Sequence, residues 1–140
     1  MADKTVFLDT NGWVALLNTS DSLHVRAASS WRELGRAGYS VVLTDWILAE
    51  TGNGLARTRA RAPFLRALEA VQASERTRIV YVGETLLADA ARLYASREDK
   101  SWGLVDCASF VVMQEQAVTE AFTNDHHFEQ AGFRRLLPSA

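Results

Sequence analysis

Cysteine and proline are scarce in this chain of 140 residues, which contains one cysteine and two prolines. The lone thiol of Cys107 excludes a disulfide within the chain and is typical of a reducing compartment. The sequence has no apolar run of about eighteen residues, so no membrane-spanning helix is expected. Its first residues, Met1–Lys4, lack the charged and then apolar pattern of a signal peptide. We therefore expect a cytoplasmic protein without a membrane span.

An excess of either charge is also absent, since the formal net charge is −2 at pH 7. The molecule as a whole therefore lacks the strong positive field that attracts nucleic acids. The positive charge is unevenly distributed, because a short segment contains Arg57, Arg59, Arg61 and Arg66. A local patch of this kind binds phosphates whatever the total charge. We take Arg57, Arg59 and Arg61 as a candidate substrate-binding group.

Repeats, low-complexity tracts, linkers and glycine-rich phosphate loops are missing as well. A nucleotide site of the Walker or dinucleotide type is therefore not expected. With 48% hydrophobic residues, the chain is long enough to bury a core of its own, and we predict a single domain over residues 1–140.

What the sequence does contain is an alternation of short apolar runs with longer amphipathic segments. The apolar runs predict strands at Thr5–Leu8, Tyr39–Thr44, Arg78–Val82, Ala117–Thr123 and Phe133–Leu137. Helical spacing predicts helices at Trp13–Leu17, capped by Thr10 or Asn11, and at His24–Gly38, Asp45–Arg57, Phe64–Ala73, Thr85–Arg97, Leu104–Gln116 and His126–Ala131. Strands that alternate with helices predict an α/β fold with a mainly parallel central sheet of four to five strands and helices on both faces.

Three details of this pattern concern the first half of the chain. Val25 and Trp31 share the predicted apolar stripe of the second helix. Pro63 interrupts the arginine-rich segment, so the next helix is predicted to follow it. Gly52 and Gly54 lie inside the third predicted helix, where each costs about 1 kcal/mol relative to alanine. Such glycines indicate a close approach by RNA or by a partner helix.

Four acidic residues occupy related positions in this pattern. Asp9 directly follows the first strand, and Asp125 follows the fourth. Glu50 and Asp106 lie on predicted helices, close to the ends of strands. Each acid alone has an ordinary explanation as a turn, capping, dipole-stabilising or solvent-exposed residue. Because ligands bind at the carboxyl edge of open α/β sheets, all four can instead face one pocket there.

Carboxylates that converge on one pocket repel one another, so a positive charge must hold them ionised. A hard cation with oxygen ligands does this best, which indicates Mg²⁺ or Mn²⁺. Such ions among acids suit phosphodiester hydrolysis, because they activate water and stabilise the leaving oxygen. The arginines that follow Glu50 would then hold the substrate backbone.

At this point the residues resemble a known family, the PIN-domain ribonucleases, and most of all the VapC-type toxins and their stand-alone relatives. The resemblance covers nearly the whole chain. It rests on Phe7-Leu8-Asp9-Thr10-Asn11, on Ala49-Glu50 with Asn53, on Trp102-Gly103-Leu104-Val105-Asp106-Cys107 with Ser109-Phe110 and Met113, and on Thr123-Asn124-Asp125-His126-His127-Phe128 with Gln130-Ala131-Gly132-Phe133. The last two segments, in this order and at this spacing, are quite specific.

The resemblance implies a three-layer α/β/α fold and a Mg²⁺- or Mn²⁺-dependent endoribonuclease, often a homodimer. By position, the family's acidic site corresponds to Asp9, Glu50, Asp106 and Asp125, with Asp9 and Asp106 as the best metal ligands. Asn11 corresponds to the family's polar helper beside the first acid. Toxin members act on RNA and have an antitoxin partner whose tail blocks the site.

The chain departs from the family where relatives often carry serine or threonine, at Gly103 and Val105. A hydroxyl there would orient Asp106 or a water beside it, and we expect Asn124 to supply part of that hydrogen bonding. The departure leaves open an alternative, a catalytically weak or inactive scaffold that acts through protein or RNA binding. A phosphatase-like hydrolase is disfavoured, because the residue two positions beyond Asp9 is Asn11.

The remaining chemically active residues have simpler interpretations. His126 and His127 suggest a zinc site, but adjacent histidines rarely point at one ion, so we expect them to cap a turn or flank the cleft. Cys107 is predicted to be a small buried residue. Trp46 and Trp102 can stack an RNA base, but packing in the core or in a dimer interface is the preferred interpretation.

Overall fold

Within residues 4–138, which this computed structural model describes, five parallel strands form one sheet. The strands are β1 (Thr5–Leu8), β2 (Ser40–Thr44), β3 (Thr77–Val80), β4 (Glu120–Phe122) and β5 (Arg134–Arg135). Their order across the sheet is β3-β2-β1-β4-β5, and each neighbouring pair is parallel. The predicted parallel sheet is confirmed. The expectation about a signal peptide falls mostly on residues 1–3, which lie outside the described range.

Seven helices of the described range connect and cover these strands. They are α1 (Thr10–Leu17), α2 (His24–Arg36), α3 (Asp45–Leu55), α4 (Arg61–Ala73), α5 (Glu84–Ser96), α6 (Leu104–Glu115) and α7 (His127–Gln130). Because crossovers between parallel strands are right-handed, α1–α4 cover one face of the sheet. The chain then returns past β1 to β4, which places α5 and α6 on the opposite face. The result is the expected three-layer α/β/α fold.

The central position of β1 in the sheet explains why its last three residues, Val6, Phe7 and Leu8, are all apolar. Phe7 lies opposite Val42 of β2 and Ala121 of β4, and helices cover both faces of the sheet. Val6, Phe7 and Leu8 are at most 1% exposed. A strand buried on both faces needs a continuous apolar run rather than an alternating one. Such a run must end where the sheet meets solvent, and it ends at Asp9.

The start of α1 differs from the prediction. The helix begins at Thr10 with Asp9 as its N-cap residue, and no side chain makes a capping hydrogen bond. Neither Thr10 nor Asn11 is the cap, so that prediction is wrong. The side chains of all three residues make longer-range contacts instead, with Thr123 and Glu50. The side chains at the start of α1 therefore contact residues of the neighbouring pocket instead of capping the helix.

Two predictions about the first half of the chain are also wrong. Val25 is 80% exposed, while Ala27 is buried on the inner side of α2. Pro63 lies within the first turn of α4, which begins at Arg61. A proline is tolerated there because the first N–H groups of a helix have no partner within the helix.

Gly12 allows a close contact between α1 and the central sheet. A Cβ atom at Gly12 of α1 would lie 2.0 Å from the carbonyl oxygen of Phe122, the last residue of β4. No other residue allows this approach. The contact holds the start of α1 against the carboxyl end of β4, where the acidic residues meet.

Candidate active site

The carboxyl edge of the sheet brings the four predicted acids into one cluster. Asp9 follows β1, and Asp125 lies just beyond β4. Glu50 is on α3, and Asp106 is in the first turn of α6. Burial is the main cause that raises the pKa of Asp9 and of Asp106, and repulsion between the carboxylates adds to it: Asp106 and Asp125 act on Asp9, and Asp125 and Glu50 act on Asp106. The four carboxyl groups are therefore close enough to influence one another's ionisation.

Asp9 is the most buried acid of the cluster, with 6% of its surface exposed. Burial raises its pKa to about 7, and the neighbouring carboxylates of Asp106 and Asp125 add to this effect. A hydrogen bond from Thr123 acts in the opposite direction. A carboxyl group with this pKa is only partly ionised at neutral pH, and a nearby cation would favour its ionised form.

The sequence left open whether Asp106 stabilises the start of a helix or belongs to an acidic pocket, and the structure shows features of both. Its Oδ2 accepts a hydrogen bond of 2.9 Å from the N–H of Gly103, so it does stabilise the start of α6. Burial nevertheless raises its pKa, and this hydrogen bond only partly opposes the effect. The side chain is 21% exposed and faces Asp125 across the cluster. Asp106 is thus both a capping residue and a member of the acidic pocket.

Thr123 connects the two strand ends that carry the site, and sequence reasoning missed it. Its hydroxyl lies 2.7 Å from Oδ2 of Asp9 and 2.9 Å from Oδ1 of Asn11. The hydroxyl oxygen also accepts the N–H of Asp125 at 3.0 Å. One fully buried side chain therefore orients residues on both sides of the pocket. The only local signal was a threonine at the end of an apolar run.

The two predicted asparagines behave differently from each other. Asn11 fits its expected place beside Asp9, because its Oδ1 accepts the N–H of Asn124 at 2.8 Å. The side-chain amide of Asn124 donates to the carbonyl oxygen of Leu137. It therefore does not replace the hydroxyl that is missing before Asp106, and that prediction is wrong. Asn124 contributes to the site through its backbone.

Glu50 lies at the exposed rim of the pocket. The hydroxyl of Thr10 donates to its Oε1 at 2.5 Å. This contact joins α1 to α3 and fixes one carboxylate oxygen, while the other remains available. Thr10 is a second hydroxyl that the sequence pattern did not single out.

The two histidines lie beside Asp125 of the acidic pocket. His127 Nδ1 is 3.3 Å from Oδ1 of Asp125 and 3.6 Å from Oδ2 of Asp106. His126 Nδ1 is 3.8 Å from the same Asp125 oxygen, and its side chain is more exposed. The N–H of His127 donates to Asp125 at 2.9 Å, so Asp125 also supports the start of α7. The histidines thus form part of the acidic cluster.

The candidate arginines are not brought into the acidic pocket. Arg57 and Arg59 lie between α3 and α4 and line a surface pocket with Leu17 and residues 18–20, just after α1. Asp9 precedes the other end of α1, and an eight-residue helix is about 12 Å long. Arg61 donates a hydrogen bond to the carbonyl oxygen of Ala56. Arg57 and Arg59 therefore lie near the end of α1 that is opposite to the acidic pocket.

Trp102 and Gly52 have structural explanations. Trp102 is 6% exposed, packs edge-on against Phe110 and donates a hydrogen bond to Gln130. Packing, the preferred interpretation, is therefore confirmed for Trp102, and its ring is too buried to stack a base. A Cβ at Gly52 would lie 2.9 Å from the ring of Phe64, so the close approach there comes from this chain's own α4.

An α/β/α fold whose carboxyl edge gathers four acids is the architecture of a nuclease-type domain. The model of the PIN domain family matches residues 6–134, and the chain belongs to this family. It is similar to the 23S rRNA-specific endonuclease VapC20 of Mycobacterium tuberculosis, strains CDC 1551 / Oshkosh and ATCC 25618 / H37Rv. Each match is 28% identical over 133 residues and covers 95% of this chain and 98% of the relative.

A solved structure supports the same relationship. The chain superposes on the crystal structure of Mycobacterium tuberculosis VapC20, a toxin that cleaves the sarcin–ricin loop, with a TM-score of 0.81 and 27% identity. The match covers 91% of this chain and 95% of that chain. The predicted resemblance to PIN-domain ribonucleases of the VapC type is confirmed. None of the helices in residues 4–138 is long and apolar enough to cross a membrane.

The residues present fit a divalent cation. The charged side chains that act most strongly on Asp9 are those of Asp106 and Asp125, which repel it. Oxygen donors from several elements converge, and within the described part of the chain no lysine or arginine contacts Asp9 or Asp106. A cation with carboxylate ligands would relieve this repulsion, as expected for a PIN domain.

Proposed function

We propose that residues 1–140 act as one PIN domain, an endoribonuclease that hydrolyses RNA phosphodiester bonds with Mg²⁺ or Mn²⁺. The ion is held by Asp9 and Asp106, with Glu50 as a direct or water-mediated ligand and Asp125 at a second ion or through water. The observation that carries this proposal is the burial of Asp9 among like charges, which raises its pKa to about 7. An uncompensated arrangement of this kind is costly and is typical of functional sites.

The side chains of the pocket have separate tasks in this proposal. A bound divalent ion supplies activation of water and stabilisation of charge on the leaving oxygen. Thr123 orients one oxygen of Asp9, since its hydroxyl lies 2.7 Å away. Thr10 orients Glu50 in the same manner. Gly103 fixes one oxygen of Asp106 through its N–H and leaves the other free for the ion.

The proposed substrate is the sarcin–ricin loop of 23S ribosomal RNA. The support is the similarity over nearly the whole chain to a protein named as a 23S rRNA-specific endonuclease, and to a toxin structure described as cleaving that loop. Arg57 and Arg59 would contact phosphates on one side of the scissile bond, with Arg61 beside them. Because the acids repel a polyanion, these contacts and the bound ion must offset that repulsion.

The toxin similarity also supports a partner. We propose that the protein is the toxin of a toxin–antitoxin pair, that it functions as a homodimer in the cytoplasm, and that an antitoxin segment covers the acidic pocket. Co-expression with the product of the neighbouring gene, followed by co-purification, tests the partner. Recovery of the toxin alone at high yield, without growth arrest, would contradict it.

The nuclease assignment is tested with a labelled RNA hairpin that carries the sarcin–ricin loop. Purified protein is incubated with Mn²⁺, with Mg²⁺ and with EDTA, beside Asp106→Asn and beside a hairpin with a scrambled loop. We expect cuts in the loop that need metal and disappear in the variant. Metal binding without cleavage would support the metal site but exclude this RNA loop as the substrate. Neither cleavage nor metal binding would favour the inactive scaffold.

A further inference from the structure

The ring of His127 is the least explained polar group of the pocket. Its Nδ1 atom is buried and has no hydrogen-bond partner, although two carboxylates lie nearby. The approach to Asp125 and to Asp106 is therefore not that of a hydrogen bond. A buried polar atom without a partner costs free energy, so its orientation needs another reason.

The distances around His127 fit a site in which its imidazole and a carboxylate bind the same metal ion. Zinc bonds nitrogen and oxygen at about 2.0–2.2 Å, so two atoms at tetrahedral positions lie about 3.3–3.6 Å apart. Nδ1 of His127 is 3.3 Å from Oδ1 of Asp125 and 3.6 Å from Oδ2 of Asp106. Octahedral Mg²⁺ would bring neighbouring ligands closer, to about 3 Å. The spacing matches the tetrahedral case.

The other ring nitrogen has the contact that a metal-binding histidine usually makes. Nε2 of His127 lies 3.3 Å from the hydroxyl oxygen of Ser101. If Nε2 carries the ring proton and donates it to Ser101, Nδ1 keeps a free lone pair directed at the carboxylates. Such an outer contact fixes the ring orientation of metal-binding histidines and raises their basicity.

His126 completes the group from the solvent side. One ligand atom each from Asp125, His126 and His127 lies within 4.8 Å of the others. Adjacent histidines diverge in an extended backbone, but here His126 directly precedes the helix that His127 begins. In that turn both Nδ1 atoms face the same oxygen of Asp125, at 3.8 and 3.3 Å.

We propose that Asp125, His126 and His127 form a second cation position, beside Asp106, that binds Zn²⁺ in preference to Mg²⁺. Imidazole nitrogen suits zinc, whereas Mg²⁺ prefers an all-oxygen octahedron. This inference rests on the proposed function only in sharing Asp125 with the acidic site. In this proposal, the two histidines make the pocket selective for Zn²⁺.

Calorimetry of the metal-free full chain tests the inference without RNA. Zn²⁺ and Mg²⁺ are titrated separately into the wild type, His127→Ala and Asp125→Asn. We expect the wild type to bind Zn²⁺ more tightly than Mg²⁺. Loss of even an outer-shell partner costs roughly 10–100-fold in metal affinity, so each variant should lose at least that much for Zn²⁺. In His127→Ala the Mg²⁺ affinity should change by less than about threefold, because Mg²⁺ does not require the imidazole.

Visible absorption of bound Co²⁺ supplies the spectroscopic check. Intense tetrahedral bands in the wild type that are lost in His127→Ala would support nitrogen ligation in the proposed geometry. Circular dichroism of each metal-free variant establishes that it is folded. Asp125→Asn retains an oxygen for the N–H of His127, so it reports on the site even if His127→Ala unfolds.

The outcomes separate this inference from the nuclease assignment. Equal Zn²⁺ affinity in wild type and in both variants, or weak octahedral Co²⁺ bands, would overturn the zinc position. Wild type that cleaves RNA with Mg²⁺ but does not bind Zn²⁺ would reject the inference and leave the nuclease. Tight Zn²⁺ binding that depends on His127, without Mg²⁺ binding or cleavage, would support the inference and reject the nuclease.

Discussion

The hydroxyl of Thr123 lies 2.7 Å from Oδ2 of Asp9, although the two residues are 114 positions apart in the chain. The contact joins the carboxyl ends of β1 and β4, which are neighbours in the sheet. It is also the strongest influence that favours the ionised form of Asp9, because a donated hydrogen bond lowers the pKa of a carboxyl group that burial raises. The pocket therefore depends on a neutral side chain as well as on its acids.

Replacing Thr123 by valine should weaken metal binding while leaving the fold intact. Valine has a similar shape but cannot donate to Asp9, so the carboxylate is harder to ionise. We expect Mn²⁺ affinity to fall about 10-fold or more, in the range found for outer contacts of metal ligands. Thr123→Ser, which retains the hydroxyl, should bind nearly as the wild type. Calorimetric Mn²⁺ titrations of the three proteins check this, and equal affinities would contradict it.

The metal-free protein should lose stability as the pH rises from about 4 to about 7. In the unfolded chain Asp9 releases its proton near its ordinary pKa of 3.8, whereas in the folded protein it keeps the proton up to a pKa of about 7. Between these values the folded state binds more protons, so the free energy of unfolding falls as pH rises. Asp106 contributes in the same direction, because its pKa is also raised.

Urea unfolding in EDTA at pH 5, 6, 7 and 8 measures this slope for the wild type and Asp9→Asn. We expect the asparagine variant to have a shallower slope and to be the more stable protein above pH 7, by up to a few kcal/mol. Added Mn²⁺ should stabilise the wild type at pH 8 and have little effect on the variant. Parallel slopes for the two proteins would show that Asp9 ionises normally.

Two glycines of neighbouring helices should respond in opposite directions to alanine. At Gly12 the new Cβ would lie 2.0 Å from the carbonyl oxygen of Phe122, so α1 would have to move away from β4. Overpacking of this kind costs about 1–3 kcal/mol, and backbone contact should bring it to the upper end. At Gly54 nothing lies within 4 Å, so alanine should stabilise α3 by up to about 1 kcal/mol. Denaturant titration of both variants decides between these signs.

The salt dependence of RNA binding should identify the phosphate contacts. For a single strand, the logarithm of the binding constant falls with the logarithm of salt concentration by about 0.7 for each phosphate neutralised. Arg57→Gln with Arg59→Gln should therefore reduce this slope by about 1.4. Arg92→Gln, an exposed arginine of α5, serves as the control and should leave the slope unchanged. Fluorescence anisotropy in EDTA measures binding without cleavage, and identical slopes would exclude the arginine pair.

The sequence predicted those parts of the protein that leave a local pattern. Asp9 ends an apolar run, and Asp106 lies in the first turn of an apolar helix, so the sequence pattern alone indicated that both can face the carboxyl edge. Thr10 and Thr123 have no such pattern, because their partners lie 40 and 114 positions away and a lone threonine has no period. The orientation of His126 and His127 is likewise hidden from the sequence, because side-chain direction depends on the turn that they occupy.

The same limit explains the errors outside the site. Val25 fits a helical stripe in sequence, but α2 packs against α1 and buries Ala27, while Val25 is left 80% exposed. Tertiary packing, and not periodicity alone, determines which face of a helix is buried. Asn124 was expected beside Asp106, yet the carbonyl oxygen of Leu137, from the segment after β5, holds its amide.

We expect RNA cleavage to require the ion that Asp9 and its neighbouring acids hold. The most direct test measures the rate of hairpin cleavage across a Mn²⁺ titration, beside the calorimetric affinity of the same protein for Mn²⁺. We expect the half-maximal cleavage rate and half-saturation with Mn²⁺ to occur at the same Mn²⁺ concentration, and Asp9→Asn, while folded, to abolish both cleavage and Mn²⁺ binding. Undiminished cleavage by Asp9→Asn, or cleavage that persists in EDTA, would contradict it.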